Sequence, residues 1–192
     1  MPAQIPNTVI YQGEQYDIVA TCGTMLPEPM DFGMVPAAPH AACDRGFVAG
    51  YELCEDGLFL RSLTVWRCSV EMDLEFPTIG SVQPQMGYTD ETGRRAAPNE
   101  ATYGSLEVPV PFTGKLRLGK GIVREFFTHQ PVQKASAYET VLDLTLERGR
   151  CVQVQDRSEE AAHKRVAYLE RFQEDSSVTT ALRHAKDLDL EL

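Results

Sequence analysis

The chain has no surplus of positive charge. Its 18 lysines and arginines face 28 aspartates and glutamates, a net charge of −10 at pH 7. A general nucleic-acid binder needs cations to neutralise phosphates, and docking on an anionic membrane needs the same, so both classes are excluded as expectations. Long hydrophobic runs are also missing. The longest apolar stretches are a few residues, far short of a membrane span. The opening Met-Pro-Ala-Gln-Ile-Pro-Asn lacks the basic start and apolar run of a secretory signal, so a cytoplasmic location is expected. Cysteine is sparse and irregular: Cys22, Cys43, Cys54, Cys68 and Cys151 are odd in number, widely spaced and form no C-x-x-C. That pattern argues against a disulfide framework and for thiols buried as small hydrophobes.

What is present suits a folded domain. Hydrophobic residues make up 43% and charged residues 24% of 192 positions, enough to bury a core in one domain spanning 1–192. The first half reads as strands. Thr8 to Tyr11 and Gln15 to Ala20 flank Gln12-Gly13-Glu14, a hairpin with glycine at its turn. Arg45 to Cys54 and Leu58 to Arg67 flank Glu55-Asp56-Gly57, where Asp-Gly predicts a type I′ turn. Val70 to Phe76 continues in extended style, with Glu71, Asp73 and Glu75 on one face. Further strands are expected at Leu106 to Val110, Gly114 to Leu118 and Ile122 to Thr128. Tyr138 to Glu147 alternates as a half-buried strand, and Arg148-Gly149 turns it into Cys151 to Gln155.

Two stretches dense in glycine and proline, about 22–43 and 77–104, read as long loops. After Asp156 the period changes to that of a helix. Asp156 is placed to cap it, with Glu159 three residues on, and Ala162, Val166, Leu169 and Phe172 form its stripe. Ser176 or Ser177 starts a second, shorter helix, so the helical segment covers 157–186. Strands first and helices last predict an α+β fold: a mainly antiparallel β-sheet, barrel-like or a sandwich, with one long and one short C-terminal helix.

Motifs that would carry chemistry fall short. Gly114 to Lys120 matches the start of a phosphate-binding loop, but Gly121 stands where Ser or Thr would hold magnesium, and the flanks read as strand. The expected structure there is a hairpin turning at Gly119-Lys120-Gly121. His40 and Cys43 have the spacing of two metal ligands without a second pair, so no metal and no cofactor is expected. Cys43 or Cys54 with His129 would make a nucleophile and base only if the fold joined them. Arg45 is placed to pair with Asp44 or Glu52.

Val9 to Tyr16, Arg45 to Leu60, Phe112 to Arg117 and the Tyr138-to-Val154 hairpin together resemble a family of small bacterial cytosolic proteins. In that family an Arg-Gly-aromatic strand leads into an Asp-Gly or Asn-Gly hairpin. The resemblance covers about half the chain in pieces and implies no reaction.

Three functions follow as expectations. The leading one is a non-catalytic protein-binding module, such as an acidic immunity-type protein that neutralises a basic partner by direct binding. Its surface would be Glu71, Asp73 and Glu75 with Tyr88, Arg94 and Arg95 of the second loop. The alternative is an enzyme or small-ligand protein with a pocket between the sheet and the C-terminal helices, built from Arg45, Tyr51, Glu52 and His129. The third is a subunit of a homo-oligomer joined through an edge strand or the helical stripe.

Overall fold

The computed structural model describes residues 2–67, 75–86 and 100–170. Ten strands form one sheet: β1 (Thr8–Tyr11), β2 (Glu14–Gly23), β3 (Phe47–Cys54), β4 (Gly57–Trp66), β5 (Gln85–Met86), β6 (Glu100–Tyr103), β7 (Val108–Pro109), β8 (Gly114–Ile122), β9 (Tyr138–Glu147) and β10 (Arg150–Asp156). The order is β10-β9-β8-β2-β1-β3-β4-β6-β5, with β7 beside β4. Every pairing is antiparallel except β1 with β3. Among the described residues there is one α-helix, α1, covering 158–170. The α+β expectation therefore holds at that level, with an open sheet in place of a closed barrel or a sandwich.

Turn chemistry explains the hairpins. Gln12 and Gly13 both have positive φ (52° and 80°), as do Arg148 and Gly149 (49° and 84°), which is the type I′ requirement. The Asp56-Gly57 hairpin forms by another route. Cys54 pairs with Gly57, so the turn residues are Glu55 and Asp56, while Gly57 lies in β4 at φ 138°. The sheet curls until the β9–β10 turn meets the β3–β4 hairpin, where a Cβ on Gly57 would lie 3.4 Å from Gly149 O, and Gly149 N donates to Phe112 O at 2.7 Å. A Cβ on Gly149 would lie 2.5 Å from Val110 O.

The concave face carries the main core. Val9, Tyr16, Phe47, Tyr51, Leu60, Leu63, Leu116, Leu118, Leu144 and Leu146 alternate inward along their strands. A smaller cluster of Ala137, Tyr138, Val141 and Ala161, joined by Val19, lies on the other face under α1.

Several local expectations are corrected. The 77–104 stretch holds β5 and β6, because Ala101 and Tyr103 are fully buried beside β4 and the Tyr103 hydroxyl donates to Pro77 O at 2.7 Å. The 22–43 stretch begins as the end of β2 and includes a 3-10 turn at Pro29–Phe32, with Met34 buried. β8 runs through the expected turn at 119–121 without reversing, since β9 pairs along it as far as Ile122. The expected strand at Ile122 to Thr128 is instead a 3-10 turn at Arg124–Phe126. The expected strand at Leu106 to Val110 shrinks to Val108–Pro109.

In α1 the stripe is displaced. Ala161 is the buried residue, while Val166 and Leu169 are exposed. Polar anchors set that rotation: the Arg165 guanidinium donates to Tyr138 O (2.6 Å) and Ser136 O (3.1 Å). Arg157 reaches Asp143 at 3.3 Å, and the Asp156 carboxylate accepts from Ser158 N at 2.8 Å. Phe172, the expected second short helix and most of the expected acidic strand fall outside the described residues. Among the described residues no helix is long and apolar enough to cross a membrane.

Candidate ligand site

The sheet splits at one place, and the split follows from the shortness of β1. Along β2, pairing with β1 ends at Asp17↔Thr8, yet pairing with β8 continues to Gly23↔Gly114. Along β3, pairing with β1 begins at Gly50, so Phe47 to Ala49 have β4 alone. Beyond Thr8, then, the facing edges of β2 and β3 have no strand between them. Asn7 is the last link: its backbone O accepts from Ile18 N (2.8 Å) and its Oδ1 accepts from Ala49 N (2.9 Å).

A cavity of about 620 Å³ occupies this split. That size suits a small organic ligand. Three segments wall it. Residues 3–7 form a strap, tied by Gln4 N to Pro131 O (3.0 Å), Ile5 N to Ala42 O (2.9 Å) and the Gln4 side chain to Ala41 O (2.8 Å). Residues 24–28 are held at one end by Thr24 N to Thr113 O (3.0 Å). At the other end Pro27 O accepts from the Tyr51 hydroxyl at 3.2 Å. In the 127–133 loop the Gln133 amide binds both Thr128 N (2.9 Å) and Thr128 O (2.6 Å), closing the loop on itself.

The walls are mainly apolar: Ile18, Leu26 and Phe47 from the core side, Val19, Ile122, Phe127 and Val132 from the other. The charged lining consists of Arg45, Asp17 and Glu28.

Asp17 is half-buried in β2. The Tyr138 hydroxyl donates to its Oδ2 at 3.0 Å. Burial pushes its carboxyl above the usual range, and the Tyr138 hydrogen bond offsets part of that. Tyr138 reaches it because Gly119 leaves room: a Cβ there would sit 2.6 Å from the ring. Burial, with Asp17 beside it, raises the Tyr138 phenol in turn. Arg45 donates to Ile5 O (2.9 Å) and Asn7 Oδ1 (3.2 Å), and its guanidinium stacks 5.0 Å from the Phe47 ring centroid. Tyr51 is almost wholly buried, which raises its phenol.

Between the sheet and α1, the place expected for a pocket, the described residues leave a cleft of only about 20 Å³, lined by Arg117, Val141, Arg157 and Ala161 among others, and the rest of the expected helical segment lies outside the described residues. Of the residues proposed for that pocket, the structure brings Arg45 and Tyr51 together. Glu52 belongs to another face, bound to Arg61 Nε at 2.7 Å, so Arg45 does not pair with it. His129 is exposed, edge-on to Phe127 at 5.8 Å, and does not line the cavity. Cys43 is buried and His40 lies against Trp66. Among the docking residues, Glu75 is exposed. Glu71, Asp73, Tyr88, Arg94 and Arg95 lie outside the described residues.

Asp17 and Tyr138 were missed from the sequence. The available signal was one acid inside the otherwise β-forming run Tyr16-Asp-Ile-Val-Ala20.

Fold and site thus define an open, curled β-sheet with an apolar pocket where two strands part. No protein-family model, curated protein or solved structure matches the chain.

Proposed function

We propose that this chain is a binding protein for a small, largely apolar molecule held in the β2–β3 split. One observation carries the reading: a cavity of about 620 Å³ whose apolar walls are crossed by a few fixed polar groups. Its side chains are already in place. The strap, the 24–28 segment and the 127–133 loop each carry their own hydrogen bonds, which lowers the ordering cost of binding. The open backbone edges of β2 and β3 add hydrogen-bonding groups to the walls. The role we assign to the cavity is binding.

A neutral fluorophore, N-phenyl-1-naphthylamine, tests this. It should bind saturably with one site per chain and brighten on entering the apolar cavity. Thr21→Trp, a bulky replacement on an exposed wall position, should weaken it by about tenfold while thermal unfolding stays cooperative. Equal binding by that variant would rule out the split as the site.

A further inference from the structure

Resting on that reading, we propose that the ligand is a monocationic amphiphile, an alkyl- or aralkylammonium whose charge sits on Asp17 and whose apolar body lies along Val19, Ile122, Phe127 and Val132.

Asp17 is where the pocket is chemically incomplete. Its neighbours are neutral on every packed element: Thr8 from β1, Gly119 from β8 and Tyr138 from β9. The 122–133 segment adds Ile122, Phe127, Val132 and Gln133 to the same cavity. Among the described residues the Asp17 carboxylate has one hydrogen-bond partner, the Tyr138 hydroxyl, and no cation. A half-buried carboxylate with one neutral donor keeps unsatisfied acceptor capacity in a medium that penalises its charge. An ammonium supplies both missing things, since it donates up to three hydrogen bonds and carries the opposite charge.

The opposite assignment, an anion on Arg45, fits less well. That guanidinium already donates to Ile5 O and Asn7 Oδ1 and stacks on Phe47. Glu28 shares its wall beside Tyr51 and would repel an anion. With one guanidinium against two carboxylates, the cavity favours a cation, as does the chain's net charge of −10.

The test is displacement of bound N-phenyl-1-naphthylamine at pH 7 by three molecules with the same chain and different heads: octylammonium, 1-octanol and octanoate. Octylammonium should compete about tenfold better than 1-octanol, and octanoate worst. In D17N the octylammonium advantage over 1-octanol should vanish, with a cooperative thermal unfolding transition showing that the variant is folded. If D17N does not fold, the wild-type protein answers alone: octylammonium should weaken on acidification as Asp17 gains its proton, with 1-octanol unchanged.

Equal competition by octylammonium and 1-octanol in the wild type, or an ammonium preference that survives in D17N or is indifferent to acid, overturns this inference and leaves the pocket standing. Failure of all three to compete, with no saturable dye binding, overturns the pocket as well.

Discussion

Two regions of the same sheet handle their edges in opposite ways. In the β8–β9 region, pairing runs from Gly114↔Leu146 to Ile122↔Tyr138. One face packs Leu116, Leu118, Leu144 and Leu146 into the core, and the other is tied down by Arg117, which grips Asp143 with two bonds at 2.6 and 2.7 Å. In the β2–β3 region pairing stops at Asp17 and Gly50, and chain segments without regular structure wall the gap. The contrast separates two uses of the same material. A fully paired, two-sided strand contributes stability. A strand that loses its neighbour part-way leaves concave apolar surface, which costs stability and creates a place to bind.

The sharpest way to break this comparison is to truncate one leucine-sized side chain in each region. Leu144→Ala removes a fully buried residue and should cost about 3 kcal/mol by denaturant unfolding. Ile18→Ala enlarges an existing cavity instead of opening a new one, and should cost about 1 kcal/mol. Equal losses would mean that the split is packed as tightly as the core. An intermediate effect is expected at Gly119, where the two regions touch. Gly119→Ala pushes a methyl against the Tyr138 ring and should cost about 2 kcal/mol, with loss of the Tyr138–Asp17 hydrogen bond. A downward shift of the Tyr138 phenol in a spectroscopic titration would report that loss.

How much of this was legible depended on whether the signal was local. The Gln12-Gly13 and Arg148-Gly149 turns were legible because type I′ geometry demands residues that tolerate positive φ. The alternation of Leu142, Leu144 and Leu146 was legible because those positions face the core, whereas Tyr138 and Val141 are buried in the cluster under α1, which the half-buried reading did not anticipate. β6 was hidden because its four residues sit among prolines and glycines, and only β4 supplies the partner that makes them a strand.

The site was less legible still. Arg45 and Tyr51 stood out on a well-marked strand. The cavity, however, depends on β1 lying between β2 and β3, antiparallel to the first and parallel to the second, and then running out, which is a fact of strand order. No local period encodes which edges will be left open. Glu52 and His129 have suitable chemistry, yet the register gives Glu52 to Arg61 and the 127–133 loop turns His129 outward.

The smallest and most telling expected effects come from two aspartates, one in each region, with opposite signs. The Arg117 hydrogen bonds hold the Asp143 carboxyl below its usual range, with Arg157 adding to the effect. A lowered carboxyl in the folded state contributes stability that is present above the unfolded value and is lost as pH falls through the folded one. Asp143→Asn should therefore cost about 1 kcal/mol at pH 7, and the difference from wild type should shrink in strong acid.

Asp17 runs the other way. Burial raises its carboxyl, so the folded state binds that proton more tightly than the unfolded chain does. Its ionised form opposes folding at neutral pH, and acidification through the raised value relieves the cost. Asp17→Asn should be neutral to stabilising by about 0.5 kcal/mol at pH 7, with the gain disappearing in acid. Paired denaturant titrations of both variants at pH 7 and pH 3 would read the two signs directly. Destabilisation by Asp17→Asn comparable to that of Asp143→Asn would mean that Asp17 is a structural group like its counterpart. The contrast between a region built for stability and a region left open for a ligand would then fail at its most specific point.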